Sequence, residues 1–359
     1  MGNGTFVGLD VHARSVVAGL IDERTGEVRA VRAPHTTDEL VGWLGTLAGP
    51  VRATYEAGPT GYGLARALED AGIACLVAAP GRIPRASGDR VKNDRRDAER
   101  LARLLRAGEL VAVAVPTVTD EGARDLVRAR EDARADLMRA RHRLSKMLLR
   151  YGRIYDRTAW TLTHDAWLRR QRLCEPAAQA ALIDYHDAAL QAAMRRDRLD
   201  GAITELAQRP DLAPLVRRLS CLRGVSTLTA VGLAVEIGDW HRLSGATIGS
   251  YLGLTPSESQ SGARHTRGPI TKTGNGHARR LLVEAAWHHR RAHRTSAELE
   301  RRREGARPEV RVRAEAAGVR LHRRWTNLES RRGLRSSVVA VAVARELAGW
   351  CWSLAVMDD

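Results

Sequence analysis

Lysine is nearly missing from this chain: Lys92, Lys146 and Lys272 are the only ones. Phenylalanine occurs once and cysteine four times. The cysteines (Cys75, Cys174, Cys221 and Cys351) are far apart and make no C-x-x-C pair. That argues against structural zinc and a disulfide framework, and fits a reducing cytoplasm. No stretch approaches the ~20 uninterrupted apolar residues of a membrane span, so no membrane partner is expected. The opening Met-Gly-Asn-Gly-Thr lacks the basic and apolar regions of a secretory leader. A soluble, cytoplasmic protein is the expectation.

What the chain has in place of lysine is arginine. Lys+Arg of 58 against Asp+Glu of 42 leaves a formal net charge of +16. Such an excess suits a polyanionic partner, because basic surfaces gain affinity by displacing counterions from phosphates. Arginine abundance alone is weak support, since codon bias also raises it. The placement of Lys92 and Lys272 inside the two stretches richest in chemistry is more telling. At 359 residues the chain is long enough for two or three domains.

The first of these is a mixed α/β sheet. Residues 5–9 read as a buried strand ending at Asp10, 14–20 and 27–32 as two more, and 51–55 as a fourth ending at Glu56. Helices are expected over 37–47 and 61–71, and a fifth strand over 73–78. Asp10 and Glu56 thus lie at the C-terminal ends of strands, the edge where ligands of open α/β sheets collect. Lys92-Asn-Asp-Arg-Arg-Asp-Ala-Glu-Arg-Leu-Ala-Arg-Leu-Leu105 follows, with apolar residues at helical spacing. Asp94 and Asp97, three residues apart, fall on one face of that helix. If the two strands are neighbours and the helix closes over them, four carboxylates meet. Oxygen donors of this kind suit Mg2+ or Mn2+, and a two-metal site performs in-line displacement at phosphorus. The plain alternative is an N-cap with first-turn acids that favour the helix dipole, beside unrelated loop acids.

From 120 to 151 the chain reads as one long arginine-rich helix, a solvated helix or a helical arm for dimerisation. Residues 120–215 form a helical spacer. Leu222-Arg-Gly-Val-Ser-Thr begins the next unit as a helix-hairpin-helix-like turn offering N–H groups to phosphate, or as an ordinary tight corner. The second chemical stretch, Gly253 to His277, is expected to be a Gly/Ser-rich basic loop running into a helix N-terminus and suited to gripping phosphates. Of its serines, only Ser261 has glycine directly after it and arginine three residues on. A serine hydroxyl needs a base or a metal before it acts as a nucleophile. The candidate nucleic-acid contacts of the two stretches are Lys92, Arg95, Arg264, Arg267, Lys272, Asn275, Arg279 and Arg280. His288, His289 and His293 read as phosphate-facing or surface residues. The basic segment 301–335 reads as a nucleic-acid contact surface, disordered when free. Residues 337–356 form a last, apolar helix that must dock on a core.

Gly8-Leu-Asp-Val-His12, Tyr55-Glu-Ala-Gly-Pro-Thr-Gly61 and Lys92-Asn-Asp-Arg-Arg-Asp97 resemble the motifs of the DEDD insertion-sequence transposases. These are relatives of the Piv DNA invertase and are known as bridge-RNA-guided recombinases. Leu222-Arg-Gly-Val and the Gly262–Asn275 segment resemble the same family's C-terminal transposase domain, and the resemblance covers essentially the whole chain. It implies an α/β plus α architecture: a RuvC-like (RNase H-like) domain at 1–119, a coiled-coil arm within 120–215, and a mainly helical transposase domain with a catalytic serine at 216–359. It implies that Asp10, Glu56, Asp94 and Asp97 hold Mg2+ or Mn2+. Ser261 would attack a DNA phosphodiester and form a phosphoserine link that conserves its energy. Donor and target DNA, a structured non-coding guide (bridge) RNA, and homodimers pairing into tetramers are the implied partners, at the nucleoid of a bacterial cytoplasm. Two other readings stay open: a RuvC-like nuclease that hydrolyses branched DNA with water, and a non-catalytic nucleic-acid-binding protein. Whether the active site forms within one subunit or between two is also open.

Overall fold

The computed structural model describes residues 4–84, 93–261 and 264–358. The chain divides into two compact units, Met1–Thr117 and Val118–Asp359.

The first unit is a five-stranded sheet in the order β3-β2-β1-β4-β5. Its strands are β1 (Thr5–His12), β2 (Ser15–Asp22), β3 (Val28–Ala33), β4 (Val51–Glu56) and β5 (Ala74–Ala78). β1 to β3 form an antiparallel meander, and β4 and β5 add in parallel on the other side of β1. Alternation along the strands separates two faces. Val7, Leu9, Ala18, Leu20, Ala53 and Tyr55 lie in one buried cluster with Leu40 and Leu44 of α1 (Thr37–Gly45) and Leu64 and Leu68 of α2 (Gly63–Asp70). The opposite face carries Phe6 and Ile21, which join Ala102 of α3 (Asp94–Ala107). Three layers result, α/β/α, with β1 at the centre.

The position of α3 is set by what two residues lack. Gly8 and Gly19 are register partners across β1 and β2. A Cβ on Gly8 would stand 2.2 Å from the carbonyl oxygen of Ala98, and one on Gly19 2.5 Å from the backbone of the same turn. The helix backbone therefore rests directly on the strands, with Ala98 and Ala102 fully buried. Asn93 starts this helix by accepting the Arg95 N–H at 3.0 Å, and Gly108 ends it in the left-handed conformation.

The second unit is mainly helical. Two long helices, α4 (Val118–Arg150) and α6 (Pro176–Leu206), run antiparallel: Asp120 meets Arg209 just past the end of α6, Arg130 meets Asp200, and Asp136 meets Arg195. Buried residues recur on α4 at about three- and four-residue intervals: Ala133, Leu137, Ala140, Leu144 and Met147. That spacing is the seam of paired helices. Together with α5 (Leu162–Arg170) the far end encloses its own small core of Leu144, Met147, Leu148, Leu168 and Leu182. The near end, through Ala123, Val127 and Ile203, joins the main core.

That core is built by α7 (Ala213–Ser220), α8 (Thr227–Ile237), the single turn α9 (Ile248–Tyr251), α10 (Gly276–Ala286), α11 (Ala297–Arg303), α12 (Pro308–Thr326) and α13 (Ser336–Ala355). Residues 222–226 make the corner between α7 and α8. Among the described residues α13 is the one helix long and apolar enough to cross a membrane, by length and composition. Val339, Val343, Leu347, Cys351 and Leu354 are buried in the core of the unit, as expected of a helix that docks there.

Two expectations need correction. The stretch expected to be a Gly/Ser-rich loop contains an antiparallel hairpin, β6 (Pro256–Ser261) with β7 (Arg264–Ile270). Its residues are polar on both faces, so no apolar alternation announced it. Residues 301–335, expected to be disordered, form the end of α11 and all of α12, and Val310, Ala314, Ala317, Leu321 and Trp325 are buried. The arginines are many there, but the apolar positions keep a helical period.

Candidate functional site

Asp10 and His12 are two residues apart on β1 and so emerge on one face, the face that α3 covers. Leu9 pairs with Tyr55 in the parallel β1–β4 ladder, which sets Asp10 beside Glu56 at the C-terminal edge of the sheet. α3, seated on Gly8 and Gly19, brings its first turn over that edge. Ligand atoms of Asp10, His12 and Asp94 all lie within 4.8 Å of one another. His12 Nε2 stands 3.4 Å from Asp10 Oδ2 and 3.9 Å from Asp94 Oδ2.

The electrostatics of Asp10 are unusual. Burial raises its pKa and the charges of Asp94 and Asp97 push the same way, against the opposing pull of His12. Its Oδ2 is buried and has no hydrogen bond of good geometry, with His12 Nε2 standing 3.4 Å away. A divalent cation relieves such a group, because it satisfies the orphaned oxygen and separates the like charges. Carboxylate oxygens with one imidazole nitrogen fit Mn2+ well and Mg2+ through the oxygens. Of the four expected acids, Asp10 and Asp94 are thus drawn together. Asp97 contacts Arg100 one turn on. Glu56 is exposed at the neighbouring strand end, outside the three-residue group. His12 was not among the expected site residues; Asp-x-His on a strand was the available signal, since period two puts both on one face.

In the second unit, Ser261 ends β6 and pairs with Arg264 of β7, with two residues between them. Arg267 of β7 donates to Glu258 of β6 at 3.1 Å. The hairpin leads into a tightly folded segment. A Cβ on Gly274 would stand 2.0 Å from the Tyr251 carbonyl, and one on Gly253 2.3 Å from that of Thr273. Lys272, exposed between them, has φ of +55°, a conformation unfavourable for a side chain with a Cβ.

The segment is anchored by a carboxylate the sequence reading did not single out. Glu236 on α8 is buried and accepts four hydrogen bonds. Arg128 donates to both oxygens, at 3.0 and 2.9 Å. Asn275 Nδ2 donates at 2.6 Å and His277 Nδ1 at 3.0 Å. Burial alone would raise the pKa of Glu236; the bonds from His277 and Arg128, the charge of Arg128 and the bond from Asn275 outweigh it and hold it at about 2. With its amide nitrogen committed, Asn275 turns Oδ1 to the Ala278 N–H at 2.9 Å and caps α10. A lone acid within Ala230-Val-Gly-Leu-Ala-Val-Glu-Ile237 was the signal, because a charge in an apolar helical run is buried and must be partnered.

The other candidate contacts are distributed unevenly. Lys92 lies outside the described residues. Arg95 donates to the Ala30 carbonyl at 3.2 Å. Arg279 donates to the carbonyls of Leu252 and Thr273, holding the folded segment together. Arg280 contacts Glu131 of α4. His289, expected to face phosphate or solvent, is buried and its pKa is lowered by that burial to about 3. His293 meets Glu315 at 2.7 Å.

Comparison with known proteins matches two stretches of the chain, the first running through the sheet unit and on to the end of α4. Residues 7–152 match the IS110 DEDD transposase family model, and residues 216–301 match that of the transposase IS116/IS110/IS902 family. A putative transposase, y4qE, of Sinorhizobium fredii is 41% identical over 98% of this chain and 88% of its own length. The transposase for insertion sequence element IS1533 of Leptospira borgpetersenii is 32% identical over 91% of this chain and 97% of its own. A probable family 20 transposase of Pseudomonas aeruginosa is 27% identical over 85% of this chain and 84% of its own. The chain belongs to the IS110/IS116 family of DEDD insertion-sequence transposases, enzymes that act on DNA.

Proposed function

We propose that this transposase cuts and exchanges DNA strands through Ser261, assisted by divalent metal held at the acid cluster of the first unit. Donor and target are chosen by a structured guide RNA of the bridge-RNA type. The observation that carries the metal half is the convergence of ligand atoms from Asp10, His12 and Asp94 within 4.8 Å, with Asp10 Oδ2 buried and poorly hydrogen-bonded. Asp10 and Asp94, joined by Glu56 and Asp97 from the same sheet edge and helix turn, are the residues that would hold Mg2+ or Mn2+. A bound cation there supplies Lewis-acid stabilisation of charge developing on phosphate oxygens.

Ser261 Oγ gives up its proton and forms a bond to phosphorus while the bond from phosphorus to the leaving strand oxygen breaks, and that oxygen takes up a proton, so no net proton is gained or lost. The reverse attack by another strand's hydroxyl restores the serine, so the phosphodiester energy is kept. The net charge of +16 favours holding DNA and RNA together. Residues 1–119 serve as the RuvC-like catalytic domain, 120–215 as the helical arm for dimerisation, the dimers pairing into tetramers, and 216–359 as the serine-bearing transposase domain.

Hydrolysis of branched DNA by the acid cluster alone is the second reading, favoured by the cluster lying in a unit with its own core. A strand-exchange assay with donor DNA, target DNA and the flanking RNA separates them. Recombinant junctions that need RNA and metal support the first reading. Cleaved ends without junctions support the second.

A further inference from the structure

Arg313, Arg320 and Arg324 stand seven and four residues apart on α12. At 100° per residue they form one stripe, about 16 Å long at 1.5 Å per residue. The stripe lines a cavity of about 830 Å3, whose other walls are α13 and the 245–249 segment. From α13, Arg345 lays its aliphatic stem against Gly249, its Cγ 3.1 Å from where a Cβ would stand. Its guanidinium has no hydrogen-bond or ion-pair partner among the described residues. One carboxylate, Glu346, faces these four cations, reaching Arg320 at 2.8 Å and Arg324 at 3.0 Å. Arg313 spends one nitrogen on the Ser353 carbonyl. Gly245, Gly249 and Gly349 also line it, the space beside Gly249 taken by the Arg345 stem and that beside Gly245 by the Trp352 ring, and half-buried Trp350 stands at its wall.

We infer that this cavity binds a single strand of nucleic acid, gripping successive phosphates along the arginine stripe and offering Trp350 to a base. A 16 Å row of cations is too long for one phosphate and matches a polymer of them. Guanidinium forks suit phosphate oxygens, and an aromatic face stacks on any base. A duplex is a stiff rod, whereas a cavity between two packed helices admits a flexible strand. Single strands arise in the proposed function twice, as displaced DNA and as guide RNA, and the assignment rests on that reading for their presence. The backbone chemistry is common to both.

The test is fluorescence anisotropy of full-length protein with labelled 20-nucleotide single-stranded DNA, single-stranded RNA of the same sequence, and duplex DNA. Arg313→Gln/Arg345→Gln is expected to weaken single-strand binding about tenfold and to lower the salt slope by about 1.4, two contacts at ~0.7 each. Arg313→Lys/Arg345→Lys restores the slope. A larger loss for RNA assigns the site to the guide, and a larger loss for DNA assigns it to the displaced strand. Arg345→Glu alone, at an exposed and unpartnered position, repeats the test if the double variant melts early. Unchanged single-strand affinity, a loss confined to duplex, or an equal loss in Arg29→Gln/Arg32→Gln on β3 overturns the inference while leaving the proposed function standing. Wild-type protein that binds neither single strand overturns both.

Discussion

Gly8 and Gly19 face each other across the β1–β2 ladder, and the backbone of α3 occupies the space that their side chains would fill. This one contact puts Asp94 over Asp10, so packing in the first unit and geometry at its acid cluster are the same problem. Gly8→Ala forces a Cβ to 2.2 Å from a backbone oxygen, which only movement of the helix relieves. Overpacking of this kind costs about 1–3 kcal/mol. Denaturant unfolding is expected to show that loss, and DNA cleavage to fall further than stability alone requires.

Metal binding follows from the same arrangement. Asp10→Asn removes the buried charge and one ligand, and is expected to abolish Mn2+ binding measured by calorimetry. His12→Ala leaves the carboxylates and is expected to weaken Mn2+ binding about 10–100-fold. Equal Mn2+ affinity in wild type and Asp10→Asn would place the cation elsewhere.

Glu236 makes a prediction with a definite pH sign. Its folded pKa of about 2 lies below the ordinary 4.5. The stability it contributes is therefore complete above about pH 4.5 and is lost as pH falls toward 2. Glu236→Gln breaks a buried, four-bonded ion pair, costing about 3–5 kcal/mol near neutrality. Urea unfolding at a series of pH values is expected to show the gap between wild type and variant closing below pH 4.5. A gap independent of pH would mean that packing, not charge, accounts for the loss.

How much of this was legible beforehand differs by element. The strands of the first unit, their C-terminal acids and the helix at 94–107 could be read because apolar periodicity and glycine breaks are local signals. Contacts between distant segments were not local. Neither the Gly8–Gly19 seat nor the Arg128–Glu236–Asn275 network has a sequence spacing of its own. The β6–β7 hairpin was hidden by its polar faces, and α12 by arginines flanking a buried stripe. His12 could have been found, since only strand parity was needed.

Lys272 offers a case where stability and activity part company. Its φ of +55° is natural for glycine and costly for lysine. Lys272→Gly is expected to change stability little or raise it by up to about 1 kcal/mol, because relief of strain is partly offset by a freer unfolded chain. DNA strand exchange is expected to fall. A variant with unimpaired exchange would reduce Lys272 to a turn residue.

The most direct measurement of the central claim is covalent trapping. Purified protein is mixed with the flanking RNA, Mg2+ and end-labelled donor and target DNA, denatured, and run on a gel. The account predicts a protein–DNA adduct in wild type that disappears in Ser261→Ala and in the presence of a chelator. Cleaved DNA ends with no adduct, undiminished in Ser261→Ala, would contradict the serine mechanism and leave a metal-dependent hydrolytic nuclease in its place.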